Sequence, residues 1–183
     1  GGSQFGGHRG SATRSVSTET SVSVSLEDAF KGTSVTATLS VRGRERKFEV
    51  NIPCGVDTGS VVRITPDSGT HLRFNVTVDP HATFKRNGEN LLADVEIPFE
   101  DAILGGEAEV TTIEGKQVWV KIPSESQNGQ RIRLRGQGMP KLDSPDERGD
   151  LFVTVRPTLP KDLSEEEIDL IREFKELRTT DAE

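Results

Sequence analysis

Hydrophobic and polar side chains alternate along most of this chain with a period of two residues. Between Val16 and Leu26, valine, threonine and leucine occupy every second position, and serine and glutamate fill the positions between them. Such alternation predicts a strand with one buried face and one face in water. The same period returns in six later segments, at Val35–Val41, Phe48–Ile52, Leu72–Val78, Leu91–Ile97, Val118–Ile122 and Leu151–Val155. Because glycine-containing turns separate these segments, the chain is predicted to be mainly β, with small antiparallel sheets.

Several of these segments occur twice. The repeated pairs are Leu26–Gly32 with Phe99–Gly105, Phe48–Pro53 with Val118–Pro123, and Val76–Pro80 with Val153–Pro157. A duplicated unit of this size predicts two tandem β-sandwich-like domains. Each domain would be small and its core would contribute little net stability, so we expect the two to lean on each other or on a second chain.

The predicted layout has four parts. Residues 1–15 carry many glycines and little apolar mass, so they are predicted to be a flexible linker with one phenylalanine, Phe5. Residues 16–80 are predicted to form the first β domain, residues 81–160 the second, and residues 161–183 a C-terminal helix. The chain starts inside a linker without an initiator methionine, so we expect it to be part of a longer protein.

The period changes near the C-terminus. Ser164 and Glu167 have the spacing of a capping box at the start of a helix. An apolar stripe at helical spacing follows, at Ile168, Ile171, Phe174 and Leu177. Two interpretations stay open: the helix folds back on its own domain, or it makes a contact between two copies of the chain.

Composition excludes several classes of function. The formal net charge is −7 and the pI is about 5.1, with no long basic run, so nucleic-acid binding is not expected. No stretch approaches the roughly 18 apolar residues of a membrane span. The single cysteine, Cys54, rules out an internal disulfide and favours a reducing compartment, so we expect the cytoplasm.

The chain offers little for catalysis. Its three histidines lack the spacing of metal ligands, and no phosphate-binding loop or nucleophile motif occurs. The acidic pairs Glu27-Asp28 and Glu100-Asp101 are each adjacent on one helical turn, so their carboxylates point about 100° apart rather than at one substrate atom. A hydrolase that uses scattered carboxylates is therefore disfavoured. We predict a protein that is not an enzyme and that needs no metal or cofactor.

A binding function has more support. Val22, Val24, Ala37, Leu39 and Phe74 all fall on the apolar phase of their strands, and Ala37 among larger residues would leave a shallow depression. If a neighbouring strand is a sheet edge, an extended peptide can add to it by main-chain hydrogen bonds. The alternative is that all five residues simply form the core.

A second binding class is a β-sandwich adhesion or carbohydrate-binding module. Such a module needs exposed aromatic rings on a platform. The chain has one tryptophan, Trp119, and no tyrosine, so this alternative is weaker.

Several spaced motifs resemble the DnaJ-type J-domain co-chaperones. The segment Val24–Gly32 resembles the start of that family's first C-terminal β domain. The segment Pro80–Leu91 is similar to the family's link between its two β domains. The second domain is matched at Ala102–Gly106, Arg133–Pro140 and Arg148–Leu151, and the last helix at Leu163–Glu166. The motifs occur in the right order between about Val16 and Leu177, which makes the resemblance specific.

The resemblance implies a function for the chain. Members of this family form V-shaped homodimers through their C-terminal segment, which implies dimerisation through Ile168, Ile171, Phe174 and Leu177. Their client groove lies in the first β domain, and its apolar pocket falls here on Val22, Ala37, Leu39 and Phe74, with Thr20 and Val24 flanking. The implied function is to hold unfolded polypeptide, to prevent its aggregation and to deliver it to a DnaK-type chaperone.

Three departures from the family pattern matter. The J domain with its His-Pro-Asp motif is absent, so we expect no stimulation of a DnaK-type ATPase. The cysteine-rich zinc module is absent too, so the chain resembles the zinc-free class, near the curved-DNA-binding-type co-chaperones, although its charge fits DNA binding poorly. Relatives often dock the acidic tail of the partner chaperone on lysines beside the pocket, a role that Arg44, Arg46 and Lys47 would take here.

Overall fold

The computed structural model describes residues 16–181, and the linker predicted for residues 1–15 lies outside them. The described chain is mainly β, as the alternation predicted. Its elements are β1 (Val16–Val24), α1 (Leu26–Lys31), β2 (Thr33–Val41), β3 (Arg44–Ile52), β4 (Val61–Asp67), β5 (Thr70–Val78), β6 (Lys85–Asn87), β7 (Asn90–Pro98), α2 (Phe99–Leu104), β8 (Gly106–Thr111), β9 (Gln117–Ile122), β10 (Arg131–Leu134), β11 (Pro140–Lys141), β12 (Ser144–Arg148), β13 (Leu151–Thr158) and α3 (Glu165–Thr180).

The sequence repeat is also a structural repeat. The order of strand, short helix, hairpin and two further strands occurs as β1-α1-β2-β3-β4-β5 and again as β7-α2-β8-β9-β10-β13. The turn hydrogen bonds correspond as well, because the Gly59 amide donates to the Val76 carbonyl and the Gly129 amide donates to the Val155 carbonyl, both at 2.9 Å. In this register Val155 takes the place of Val76, two residues later than the sequence repeat, which matches Val76 with Val153. The hairpin β11–β12 is an insertion that only the second copy carries.

The described chain divides into two compact units. The first contains the residues up to Leu92 together with residues 134–151, and the second contains residues 93–133 and the residues from Phe152 onward. The insertion therefore belongs to the first unit, where the Asp143 amide donates to the Cys54 carbonyl at 2.9 Å. The domain boundary at residue 80, which was predicted from the sequence repeat, stays a prediction.

The first unit is built from two sheets. One has the strand order β1-β5-β4, and the other is the hairpin β2–β3. The pairs β4–β5 and β2–β3 are antiparallel, but β1 and β5 run parallel, with Thr20 opposite Phe74. The parallel pair arises because a helix, a hairpin and a further strand separate β1 from β5, so no tight turn joins them. The core between the sheets contains the buried residues Phe48, Val50, Ile52, Leu72, Phe74 and Val76.

The second unit repeats this plan and ends in α3. Its hairpin β8–β9 is antiparallel, and β10, β13 and β7 lie next to one another in that order. Helix α3 starts with the predicted capping box, in which Glu167 N–H donates to Ser164 Oγ and Ser164 N–H donates to the Glu167 carboxylate. No helix among the described residues combines the length and apolarity needed to cross a bilayer.

Both short helices end in a glycine that the local geometry requires. The Gly32 amide donates to the Asp28 carbonyl at 2.8 Å, and Gly32 has φ 78° and ψ 150°. A Cβ atom at Gly32 would lie 3.1 Å from the backbone nitrogen of Cys54. A side chain here therefore meets two obstacles, the positive φ and the close approach of the next loop.

A pair of substitutions separates these two effects. Gly43 also has a positive φ, 75°, but a Cβ atom there would meet no atom within 4 Å. We expect Gly43→Ala to lower the free energy of unfolding by about 1 kcal/mol, the cost of the left-handed conformation alone. Gly32→Ala should lower it by about 2–3 kcal/mol, because φ 78° with ψ 150° is a backbone conformation that only glycine adopts readily and the Cys54 nitrogen adds a steric conflict. Urea denaturation followed by circular dichroism measures both, and equal losses would contradict the steric argument.

Candidate functional site

The residues predicted to form the pocket divide into an open set and a buried set. Thr20 and Val22 lie half-buried on the inner face of β1, and Ala37 and Leu39 lie half-buried on the inner face of β2. Val24 is only 3% exposed, and Phe74 is not exposed at all. Both sets face the same interior, but only the four half-buried residues are accessible to a ligand; we call them the β1–β2 strip.

The strip lies on two strands that each keep one unpaired edge. β1 is an edge of the three-stranded sheet and β2 is an edge of the hairpin. Within residues 16–181, β1 pairs only with β5 and β2 only with β3. Some Cα atoms of the two edge strands approach within 8 Å, so the strip lies between them. Phe74, opposite Thr20 on β5, lies beneath the strip as part of the core.

The duplication supplies an internal comparison for the strip. Aligned through the helix-ending glycines, Thr20, Val22, Ala37 and Leu39 correspond to Ala93, Val95, Val110 and Thr112. These counterparts are exposed by only 6%, 9%, 8% and 2%, so the second copy buries the equivalent surface. The open strip therefore belongs to the first copy alone.

A basic cavity lies at the far end of the same unit. Its volume is about 490 Å³, and it is lined by Val41, Arg42, Arg44, Arg46, Asp67 and Thr70. Arg44 and Arg46 were predicted to bind an acidic tail, whereas Lys47, the third predicted residue, is exposed but does not line the cavity. Arg42 was missed, because its contribution depends on the hairpin turn, where it has a φ of 51°.

The charges in this cavity are unequal. Asp67 pairs with Arg46 at 2.9 Å, and the Arg46 guanidinium also lies 5.1 Å from the centre of the Phe48 ring. The nearby Thr70 hydroxyl, and after it the hydrogen bond from Arg46, lower the pKa of the Asp67 carboxyl. One ionised carboxylate therefore faces three guanidinium groups, which leaves the lining cationic on an acidic chain.

The residues predicted for dimerisation lie together on α3. Ile168, Ile171, Phe174 and Leu177 are 36%, 45%, 51% and 67% exposed, and α3 has no buried residue in the described chain. The interpretation that the helix folds back on its own domain therefore finds no packing to support it. Elsewhere in residues 16–181, no three histidine, cysteine or acidic side chains come together in a way that could hold a metal ion.

Comparison with known proteins defines the class. A family model described as the DnaJ C terminal domain matches residues 18–160. The chain belongs to the DnaJ C-terminal domain family.

Relatives named chaperone protein DnaJ come from several bacteria. The chain is 38% identical over 145 residues to the one from Mesorhizobium japonicum, which covers 75% of this chain and 38% of that protein. It is 39% identical over 140 residues to the one from Rickettsia akari, covering 72% of this chain and 38% of the relative. It is 38% identical over 144 residues to the one from Caldicellulosiruptor bescii, which covers 73% of this chain and 36% of that relative. The chain thus spans less than two fifths of the length of these relatives.

The burial of the predicted pocket residues generates a test of stability. Phe74→Asp places a carboxylate in the core, so it should lower the free energy of unfolding by more than about 4 kcal/mol. Leu39→Asp places the same group at a half-buried edge position and should cost only about 1–2 kcal/mol. Chemical denaturation followed by circular dichroism measures both values. A loss at Leu39 as large as that at Phe74 would show that the strip is closed in solution.

Proposed function

We propose that this chain is the client-binding region of a co-chaperone, which holds unfolded polypeptide and passes it to a DnaK-type chaperone. One observation carries the proposal: two edge strands of the first unit leave apolar inner-face residues half-exposed, while the second copy buries its equivalents. Family membership supports it, because the matched relatives are named chaperones. The proposal needs no metal, cofactor or catalytic residue.

The physical mechanism is strand addition. An extended segment donates and accepts main-chain hydrogen bonds along a free edge of β1 or β2, and alternate side chains turn toward Val22, Ala37 and Leu39. Main-chain bonding tolerates many sequences, which suits a binder of unfolded chains. The strip is shallow and the client loses entropy when it orders, so affinity should be weak, about micromolar. Binding prevents aggregation because it lowers the concentration of free unfolded chain.

We assign the basic cavity to an acidic segment of the partner chaperone. Arg42 and Arg44 supply N–H donors for carboxylates. Arg46 adds positive charge to the cavity, although its guanidinium is already paired with Asp67. Lys47 is exposed on the same strand and would act at longer range. This docking replaces the lysines that relatives use with arginines, which bind carboxylates in a bidentate manner.

A homodimer completes the proposal. The exposed stripe of α3 is apolar, and a second copy of the same helix would bury it. Two arms joined in this way raise the effective concentration of one strip for a client that is held by the other. We expect this assembly in the cytoplasm, without a role for DNA or membrane.

The alternative of a carbohydrate-binding module gains little from the structure. Trp119 on β9 is 67% exposed, as such a platform requires, but its cross-strand partner is Glu109 rather than a second ring. A single aromatic side chain does not form the stacking platform that sugars need.

Peptide titration tests the client site. A fluorescent apolar peptide should bind the wild type saturably, with a dissociation constant of about micromolar order. Val22→Asp and Leu39→Asp should each weaken binding by at least about tenfold. An apolar side chain of the peptide could then dock only if the new carboxylate lost its water, which is costly. The control is Leu104→Asp on α2, where the leucine is 78% exposed and far in sequence from the strip. Equal binding by all four proteins would move the client site away from the strip.

Analytical ultracentrifugation tests the dimer. The wild type should sediment as a dimer at tens of micromolar, and Ile171→Asp and Phe174→Asp should each shift it to monomer by placing charge in the stripe. Arg172→Asp serves as the control, since Arg172 bonds Asp169 on the polar side of α3. A wild type that stays monomeric, or a control that dissociates equally, would contradict dimerisation through the stripe.

A further inference from the structure

The outer face of the β1-β5-β4 sheet carries two arginines directly opposite each other. Arg63 on β4 and Arg73 on β5 are cross-strand partners in the antiparallel pair. Side chains at such positions lie about 5 Å apart at Cβ, and like charges placed there destabilise a sheet. An arrangement of this kind calls for an explanation other than stability.

Neither arginine finds a partner among the described residues. No ion pair or hydrogen bond within residues 16–181 involves the guanidinium of Arg63 or Arg73, and Arg73 Nε is buried without an acceptor. Glu19 on β1 lies opposite Arg73, yet its carboxylate accepts a hydrogen bond from Asn75 Nδ2 at 2.7 Å. The carboxylate nearest in register to the two arginines is therefore engaged with an amide rather than with either guanidinium.

The second copy treats the corresponding positions differently. By the register of the turn hydrogen bonds described above, Arg63 corresponds to Arg133, and Arg73 corresponds to Phe152. A cation and an aromatic ring thus occupy the positions where the first copy has two like charges. The arginine pair is a departure from the duplicated plan, as the open strip is, and both occur in the first copy.

We propose that Arg63 and Arg73 bind the phosphate group of a phosphorylated side chain on a client polypeptide. Two guanidinium groups side by side offer several N–H donors to one anion, and a phosphate dianion has enough oxygens to accept from both. The Ser21 hydroxyl, one residue pair away on the same face, can add a donor.

The chemistry of the face favours a phosphorylated polypeptide over other polyanions. None of the outer positions of the three strands is a phenylalanine, tyrosine or tryptophan. These positions are Ser17, Glu19, Ser21, Ser23, Val61, Arg63, Thr65, His71, Arg73, Asn75 and Thr77. Nucleic-acid bases would find no stacking platform there. Two cations on a chain of net charge −7 are too few to hold an anionic membrane.

The client strip makes the polypeptide the natural source of the phosphate. This step rests on the proposed function. Strand β1 carries Thr20 and Val22 toward the strip and Glu19 and Ser21 on the outer face. A polypeptide held at the strip would therefore present a nearby phosphorylated residue to Arg73 at high effective concentration.

Titration with inorganic phosphate tests the anion site without reference to clients. Followed by amide NMR shifts, the wild type should saturate with a dissociation constant of about millimolar order. Arg63→Gln and Arg73→Gln should abolish saturation, whereas Arg131→Gln, which removes one exposed arginine from β10, should not. Glu19→Gln should strengthen binding by about two- to fivefold, because it removes a negative charge opposite Arg73 that repels the phosphate. Loss of fold cannot mimic a gain in affinity. Binding that all variants share, or none in the wild type, would overturn the proposal.

Matched peptides test the source of the phosphate. An apolar peptide, its phosphoserine form and its glutamate form are titrated into wild type and Arg73→Gln. The phosphoserine peptide should bind the wild type at least about fivefold more tightly than the other two, and Arg73→Gln should remove that advantage only. Equal binding of all three peptides would overturn the inference and leave the client strip intact. If no peptide binds, the proposed client-binding function fails. The inference that the phosphate belongs to a client polypeptide then fails too, even if inorganic phosphate still binds to Arg63 and Arg73.

Discussion

The first unit depends on packing between two sheets whose edge strands do not pair. Phe74 and Phe48 are buried between the sheets and hold them together, while β1 and β2 each keep one unpaired edge. The corresponding strands of the second copy, β7 and β8, do not pair with each other either, yet their inner faces are closed. The apolar packing of the first unit thus permits two unpaired edges, and an unpaired edge is the surface on which we propose that an extended chain binds.

The two copies share a backbone path but differ in their surfaces. The glycines that end α1 and α2 and the turn bonds of Gly59 and Gly129 are equivalent in both copies, because each copy needs the same backbone path. The surfaces differ instead. Where the second copy buries Val95 and carries Phe152, the first leaves Val22 half-buried and carries Arg73. The features on which the proposed binding depends are therefore concentrated on one copy of a common scaffold.

The insertion of the second copy stabilises the first unit. Arg148 lies 4.6 Å from the centre of the Phe30 ring of α1. Gly149 packs so closely on the Glu89 carbonyl that a Cβ atom would overlap it, and the Met139 amide donates to the same carbonyl at 2.7 Å. Because α1 joins β1 to β2, contacts on this helix help to fix where the two edge strands begin and end.

The sequence by itself determined the elements whose causes are local. Alternation identified the buried phase around Val50 and Leu72, the repeat predicted the order of elements, and the capping box at Ser164 marked the start of α3. Strand β4 was missed because its apolar residues do not alternate over a long enough run. Only the tertiary structure decided that β1 and β5 run parallel, that the strip is open beside Leu39, and that Arg63 lies opposite Arg73. The physical reason is that exposure and register depend on which strands become neighbours. A strand alternates with a period of two residues whether or not its edge is paired, so the alternation does not reveal the neighbours.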